Sequence, residues 1–278
     1  MKRILILLVV LVAAISSFLL WLFQRDEGGV PILSYHQVND VDNNAFTLTT
    51  EQFETQIKYL VDSGYTIITP DELLNAWENK SELPANPIVI TFDDGHVDIY
   101  KNVFPILKKY NVKATFFIVT DNVNLYPNYL TWQQAREMQS SGLADIESHT
   151  LSHKILTEIY SRDKLWEQIY GSKQAIEWHL KKSANFIAYP GGKYTREAEE
   201  MSKAVGYRAG FTVDYGLAHN DSQNYVLNRI PVLGSNEHTF FRFQLRLKAA
   251  PIIAPLSRFK EKLISDGNEG IASFIWIP

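Results

Sequence analysis

From Val30 onward, short apolar runs alternate with amphipathic helical patterns, and that alternation leaves the chain few folds to choose from. Strand-then-helix repetition implies parallel strands with helices packed outside them, as a closed barrel or an open sheet. Strands are expected at Val30–Ser34, Tyr65–Ile68, Ile88–Phe92, Ala114–Val119, Ala144–Ser148, Asn185–Ala188, Arg208–Val213 and Tyr225–Ile230. Thr49-Thr50-Glu51-Gln52 and Thr69-Pro70-Asp71-Glu72 are capping boxes that open helices, the second with proline at the first helical position. Further helices are expected over about Val97–Tyr110, Thr131–Ser140 and Asp163–Lys181, and after Thr195. Gly64, Gly142 and Gly206 stand where helices should close.

The strand Ile88–Phe92 ends abruptly in Asp93-Asp94-Gly95. Two adjacent carboxylates at the end of a buried strand cost desolvation and repel each other, and a bound cation is the simplest compensation. Further on, His149-Thr150-Leu151-Ser152-His153 carries two imidazoles at i, i+4, on one face if the segment is helical. One carboxylate with two histidines makes a metal site with open positions, and the other carboxylate is then free to act as a base. Asp93, Asp94, His149 and the run Tyr189-Pro190-Gly191-Gly192 each follow an expected strand. In a (β/α) barrel those strand ends converge on one mouth, so a barrel explains the grouping more simply than an open sheet.

The first residues read differently. Lys2 and Arg3 precede Ile4–Phe23, twenty residues without a charge, long enough to cross a bilayer core of about 30 Å. Apolar residues continue past the candidate cleavage site Ala14-Ile15-Ser16. An uncleaved membrane anchor over residues 1–29 is therefore expected, with its basic flank inside and a catalytic domain, residues 30–278, outside the cytoplasm. There is no cysteine, so the exported domain must rest on its core without disulfides. A formal net charge of −4 argues against nucleic acid as a partner.

Thr91-Phe92-Asp93-Asp94-Gly95 followed by His149-Thr150-Leu151-Ser152-His153 resembles the first two motifs of the polysaccharide deacetylases, the NodB-homology family (carbohydrate esterase family 4). Pro31-Ile32-Leu33-Ser34-Tyr35-His36, Leu130-Thr131-Trp132, Ala188-Tyr189-Pro190-Gly191-Gly192 and Leu227-Asn228-Arg229-Ile230-Pro231-Val232 are similar to one branch, the poly-β-1,6-N-acetylglucosamine N-deacetylases of biofilm systems. The likeness covers roughly Val30–Val232. It implies a distorted (β/α) barrel and a metal-dependent hydrolase that removes N-acetyl groups from an extracellular N-acetylglucosamine polymer. Peptidoglycan and chitooligosaccharides are the alternative substrates within the class. Carried over position by position, Asp94, His149 and His153 would hold a divalent metal, zinc before others, and Asp93 would be the general base. Tyr189, Pro190 and Gly191 would bind substrate, with a backbone N–H near Tyr189 helping to hold the oxyanion. The implied partners are the polysaccharide, the membrane through the N-terminal helix, and the machinery of exopolysaccharide synthesis.

The sequence departs from the wider family in two places. Ala188 stands where an arginine tether for the base is expected, and Arg229 on the last strand is the candidate replacement. The late Leu-x-His motif that supplies the acid has one match, Leu217-Ala218-His219, in a polar loop. His36, which follows the first strand, is preferred as acid or orienting group. Two rivals come from other classes: a non-haem iron oxygenase, which uses the same two-histidine, one-carboxylate ligand set but has no use for the adjacent free Asp93, and a sugar-binding module that has lost catalysis, against which intact Asp93, Asp94, His149 and His153 count. Phe240–Lys248 mixes aromatic, aliphatic and basic residues, which suits either a last helix packed on the barrel or a segment on a membrane surface.

Overall fold

The computed structural model describes residues 29–220, 223–234, 239–265 and 268–273, with isolated positions at 13, 16, 17 and 275. In chain order the strands are β1 (Ile32–Tyr35), β2 (Gln37–Val38), β3 (Thr47–Leu48), β4 (Thr66–Ile68), β5 (Pro87–Phe92), β6 (Ala114–Ile118), β7 (Ala144–Ser148), β8 (Phe186–Ala188), β9 (Ala209–Tyr215) and β10 (Leu227–Pro231). The α-helices are α1 (Thr50–Asp62), α2 (Pro70–Asn79), α3 (Phe104–Tyr110), α4 (Trp132–Ser140), α5 (Arg162–Leu180), α6 (Arg196–Ala204), α7 (Phe240–Lys248), α8 (Ala250–Ser265) and α9 (Glu269–Ala272).

The main sheet has the order β1-β10-β9-β8-β7-β6-β5-β4, and β5 also pairs with β1. All its strands but β4 therefore form a closed parallel ring, with β4 attached outside it. Pro87–Val89 of β5 pair with β4, while Thr91 and Phe92 pair with β6. The other edge of β5 pairs with β1 from Ile32↔Val89 to Tyr35↔Phe92. This is the distorted (β/α) barrel that the family resemblance implies, and it closes the choice between barrel and open sheet that the strand–helix alternation left.

Strand period sets what fills the barrel. Its lower interior is apolar, with Val30, Ile32, Val89, Phe117, Phe186, Phe211 and Leu227 in one buried cluster. Toward the strands' C-terminal ends the same faces become polar, through Ser34, Thr91, Asp93 and Arg229, all buried. The alternate residues, among them Leu33, Tyr35, Ile88, Ile90, Phe92, Phe116, Ile146 and Ile187, point outward under the helices. The β7–β8 seam is splayed, since only Ser148↔Ile187 is in register. Glu147 closes the gap below that rung: it accepts from the Phe186 N–H at 2.8 Å and from Lys182 Nζ at 2.6 Å. Lys182 also bonds Asp145.

Helix starts follow the sequence closely. Thr49, Thr69 and Thr131 each form a complete capping box, and Thr195 caps α6. The stretch expected as one helix over Val97–Tyr110 is instead a wide π turn over Ile99–Val103 that runs into α3. The cause is Pro105, whose missing N–H and ring deny the Lys101 carbonyl its α-helical partner. The Phe104 N–H reaches back to the Ile99 carbonyl and widens the turn.

Phe240–Lys248 forms α7 and packs on the barrel. Phe243 and Leu247 are buried, Phe240 meets the Tyr59 ring at 5.4 Å, and the Tyr215 hydroxyl donates to the Arg246 carbonyl at 2.7 Å. Among the described residues no helix is long and apolar enough to cross a membrane. Apart from the isolated positions 13, 16 and 17, the expected anchor, Ile4–Phe23, lies outside the described residues.

Candidate active site

Asp93 is the last rung of the β1–β5 ladder, its N–H donating to the Tyr35 carbonyl at 2.9 Å. It shares the inward face of Val89 and Thr91, so its carboxylate points into the barrel mouth. There it meets Arg229, on the inward face of β10. Arg229 Nη1 donates to Asp93 Oδ1 at 2.8 Å and Nη2 to Oδ2 at 2.6 Å, a two-pronged ion pair with both side chains essentially out of solvent. The remaining guanidinium bonds go to Thr91 Oγ1 at 3.1 Å and, through Nε, to the Thr212 carbonyl at 2.7 Å. Burial works to raise the Asp93 carboxyl, but Arg229, with His149 and His36 beside it, outweighs burial and holds it below the ordinary carboxylate range.

The chain then turns sharply. Asp94 (φ 72°) and Gly95 (φ 82°) are both left-handed, and at Gly95 a Cβ would come within 2.9 Å of Ile118 Cβ. That turn swings Asp94 away from Arg229 and toward the histidines. Asp94 Oδ1 lies 3.5 Å from His149 Nε2 and 3.3 Å from His153 Nε2, and one donor atom from each of the three residues falls within a 4.8 Å group. Two ligand atoms on a tetrahedral zinc ion, at about 2.05 Å each, stand about 3.4 Å apart. The spacing therefore fits a shared divalent metal.

His149 continues β7 by one rung, its N–H donating to the Ile118 carbonyl at 2.9 Å. Its Nδ1 is 2.8 Å from the Ala188 carbonyl and must donate to it, which leaves the Nε2 lone pair facing Asp94. Burial pushes the His149 imidazolium down against the pull of Asp93 and Asp94, the direction that favours a metal ligand. His153 moves the other way, raised by its bond to Asp94 against the effect of its own burial. Burial also opposes ionisation of Asp94, yet the bonds from His153 and His96 hold its carboxyl far below the usual range.

The two histidines do not share a helix face. Residues 149–153 form a loop in which Thr150 (φ 66°) and His153 (φ 60°) are left-handed. Gln168 of α5 pins it, its Oε1 accepting from the Ser152 N–H at 3.0 Å and Oγ at 3.1 Å. The i, i+4 spacing thus brings the rings together by a different route, their centroids 4.9 Å apart.

His36 follows β1 on its inward face. It sits close enough for its charge to act on both Asp93 and Asp94, and its ring packs on Phe46 with centroids 5.0 Å apart. Its Nδ1 is buried with no hydrogen-bond partner among the described residues. His219 is elsewhere. Ala218 bridges Val30 in an antiparallel pair, and a Cβ on Gly29 would lie 2.6 Å from the His219 ring. That position is at the barrel base, roughly 20 Å below Asp94 at ~3.3 Å per strand residue. The Leu-x-His match does not bring an acid to the site.

Tyr189 also departs from expectation. It lies on the outward face of β8 with its ring fully buried, 5.2 Å from Tyr194, and its N–H donates to the Phe211 carbonyl at 3.0 Å. Its ring is thus taken up by the outer packing and its amide by the β9 ladder. Pro190 has no N–H, and the Gly192 amide donates to the Tyr189 carbonyl at 2.8 Å. The Gly191 amide is left as the candidate oxyanion donor in this run, and Gly191 is exposed while Pro190 is buried. Strand parity carried the signal for Tyr189: Phe186 and Ala188 point inward, so Tyr189 must point out. His96, to which the motifs assign no role, has Nε2 3.7 Å from Asp94 Oδ2.

A parallel barrel whose mouth holds paired aspartates, two histidines and a buried arginine is the architecture of a carbohydrate deacetylase, and the chain belongs to the polysaccharide deacetylase family, whose profile matches residues 80–210. It is an enzyme of that class. It is 32% identical over 212 residues to YxkH of Bacillus subtilis, covering 76% of this chain and 74% of that one. It is 30% identical over 198 residues to a poly-β-1,6-N-acetyl-D-glucosamine N-deacetylase of Staphylococcus aureus, covering 66% of this chain and 67% of the relative. Among solved structures, the Streptococcus pyogenes deacetylase PplD in complex with acetate superposes with a TM-score of 0.70 at 29% identity, over 74% of this chain and 92% of that one.

Proposed function

We propose that the protein is a metal-dependent N-deacetylase of an extracytoplasmic N-acetylglucosamine polymer, poly-β-1,6-N-acetylglucosamine before others. The observation that carries the chemistry is a base and a metal cluster side by side at one mouth. Asp93 is gripped by Arg229, and Asp94, His149 and His153 are spaced for one ion. The substrate preference is supported by the staphylococcal relative, and the location by the uncharged stretch Ile4–Phe23 after Lys2 and Arg3, which reads as an anchor.

Asp94, His149 and His153 would hold the ion, and zinc suits a carboxylate with two imidazoles. When bound, it supplies Lewis acidity toward a carbonyl oxygen and a water. The chain's own residues do the rest. Asp93 accepts the proton of the water that attacks the acetamide carbon; each of its oxygens spends one lone pair on Arg229 and keeps another. Arg229 fixes the carboxylate's direction and keeps it ionised. The Gly191 amide donates to the developing oxyanion, a contact worth about 3 kcal/mol in well-formed oxyanion holes. As the C–N bond breaks, His36 gives the departing nitrogen a proton, leaving acetate and a free amine.

The test is acetate release by the metal-loaded protein from poly-β-1,6-N-acetylglucosamine, chitin oligomers and peptidoglycan side by side, with Asp94→Ala as control. Release from the β-1,6 polymer above the others supports the reading. Release from another polymer keeps the mechanism and replaces the substrate. No release with metal bound leaves a sugar-binding module.

A further inference from the structure

The mouth of the barrel is not evenly dressed. The ring order places the loops after β1, β5, β6 and β7 next to one another around the rim. The loop after β6 carries Leu125 at 62% exposure and Tyr126 at 50%, within a run, 124–128, that is exposed throughout. Tyr129, at the end of that run, is half-buried because its ring lies on His96, with centroids 4.5 Å apart and planes 27° from parallel. His96 in turn stands 3.7 Å from Asp94 Oδ2. Tyr126 is the next ring outward, 6.1 Å from Tyr129 and tilted by 54°. A line of rings therefore runs from the metal cluster to the open rim.

This lip is held in place rather than draped. The Val97 N–H donates to the Asn128 carbonyl at 2.8 Å, the Leu130 N–H to the Gly95 carbonyl at 3.0 Å, and the Asn124 N–H to the Leu130 carbonyl at 3.0 Å. His96 and Tyr129 also form an antiparallel bridge. The same turn that aims Asp94 thus fixes the aromatic lip, so the distance between them is set by backbone. Exposed rings on a rigid frame beside a catalytic cluster are a platform for a ligand with an apolar face and a polar edge.

We propose that Tyr129, backed by His96, together with Tyr126, forms a stacking shelf for the pyranose ring next to the one being deacetylated. The inference rests on the N-acetylglucosamine-polymer reading and adds a subsite to it. A β-linked pyranose presents C–H groups on its faces and hydroxyls around its edge, which matches a ring platform open to solvent on one side. A substrate too short to reach the shelf gains nothing from it, so the shelf makes the enzyme prefer chains over single sugars.

The experiment compares Tyr126→Ala, Tyr129→Ala and Tyr129→Phe with the wild-type full-length protein, loaded with zinc, on N-acetylglucosamine oligomers of increasing length and on a small aryl acetate ester. The exposed Trp178→Ala, on α5 away from the mouth, is the control. Expected is a KM for the longer oligomers raised roughly 3–10-fold in each alanine variant, with kcat and ester hydrolysis unchanged and Tyr129→Phe near wild type. Unaltered KM at every length overturns the shelf, and so does an equal loss on the ester, which would mark Tyr129 as merely structural. Should the wild-type protein hydrolyse the ester but release no acetate from any oligomer, the polymer reading falls and the shelf with it.

Discussion

Replacing Arg229 with methionine removes one half of an ion pair that has almost no contact with water. Arg229 is fully buried and the Asp93 side chain is 2% exposed, so the lone carboxylate would have no solvent to turn to. Breaking a buried pair from one side costs about 3–5 kcal/mol, because the surviving charge is left unpaired. For a domain of this size that corresponds to a fall in Tm of roughly 6–20 °C. The loss should depend on pH in a definite direction. In the wild type the Asp93 carboxyl is held low, so its contribution is present above the unfolded value near 3.9 and fades only as pH falls through the lower folded value. In the variant, burial is no longer opposed by a guanidinium, and the folded carboxyl rises above 3.9. The folded variant then keeps a proton that the unfolded chain has shed, and it loses stability as pH rises through that window. The deficit is therefore largest near pH 7 and shrinks toward pH 4, by up to about 1.4 kcal/mol per unit. Urea unfolding of the metal-free protein at pH 4, 5.5 and 7 reads this directly. Adding Asp93→Asn to the variant should restore part of the stability at pH 7. A deficit under about 1 kcal/mol, or one that is flat across this range, would refute the claim that Arg229 neutralises a buried, ionised Asp93.

Three further outcomes are expected. Zinc at 100 times its Kd should stabilise the wild type by about 2.7 kcal/mol, raising Tm by roughly 5–10 °C; scanning calorimetry should show no such rise in His149→Ala or Asp94→Asn. Gly192→Ala should cost about 2–4 kcal/mol by urea denaturation, because Gly192 is left-handed at φ 67° and a Cβ would meet Val213 Cγ2 at 2.4 Å and its N at 2.6 Å. Glu147 shares one lysine with Asp145, and burial pushes its carboxyl up to about 8. Its folded pKa lies above its unfolded one, so this contribution is present below the unfolded pKa near 4.3 and is lost as pH rises toward 8; Glu147→Gln should flatten the fall in Tm between pH 5 and pH 8.5.

The parallel barrel was legible because local signals agreed with one another. Threonine caps placed the helix starts, apolar runs placed the strands, and strand ends carrying Asp93, Asp94 and His149 made a common mouth the simpler reading. What escaped is what depends on backbone outside the regular periods. The histidine pair meets through a left-handed loop rather than a helix face, and nothing in His-x-x-x-His distinguishes the two. Pro105 announced a break that the periodicity of Val97–Tyr110 concealed. Tyr189 was misplaced although strand parity alone turns it outward. Arg229 was found as a candidate through the gap at Ala188, but its fork on Asp93 depends on β10 closing the ring against β1, a contact between distant parts of the chain. His219 matched a motif yet sits at the base, since a three-residue pattern carries no information about which end of a barrel it occupies.

The most direct measurement is acetate released from poly-β-1,6-N-acetylglucosamine by wild type and Asp93→Asn, each stripped of metal and then reloaded with zinc. Expected is activity that vanishes on stripping, returns on reloading in the wild type, and stays about 10²–10⁴-fold lower in Asp93→Asn although that variant still binds zinc. Activity that survives complete metal removal, or an Asp93→Asn variant as fast as wild type, would contradict the assignment of the metal cluster and its base.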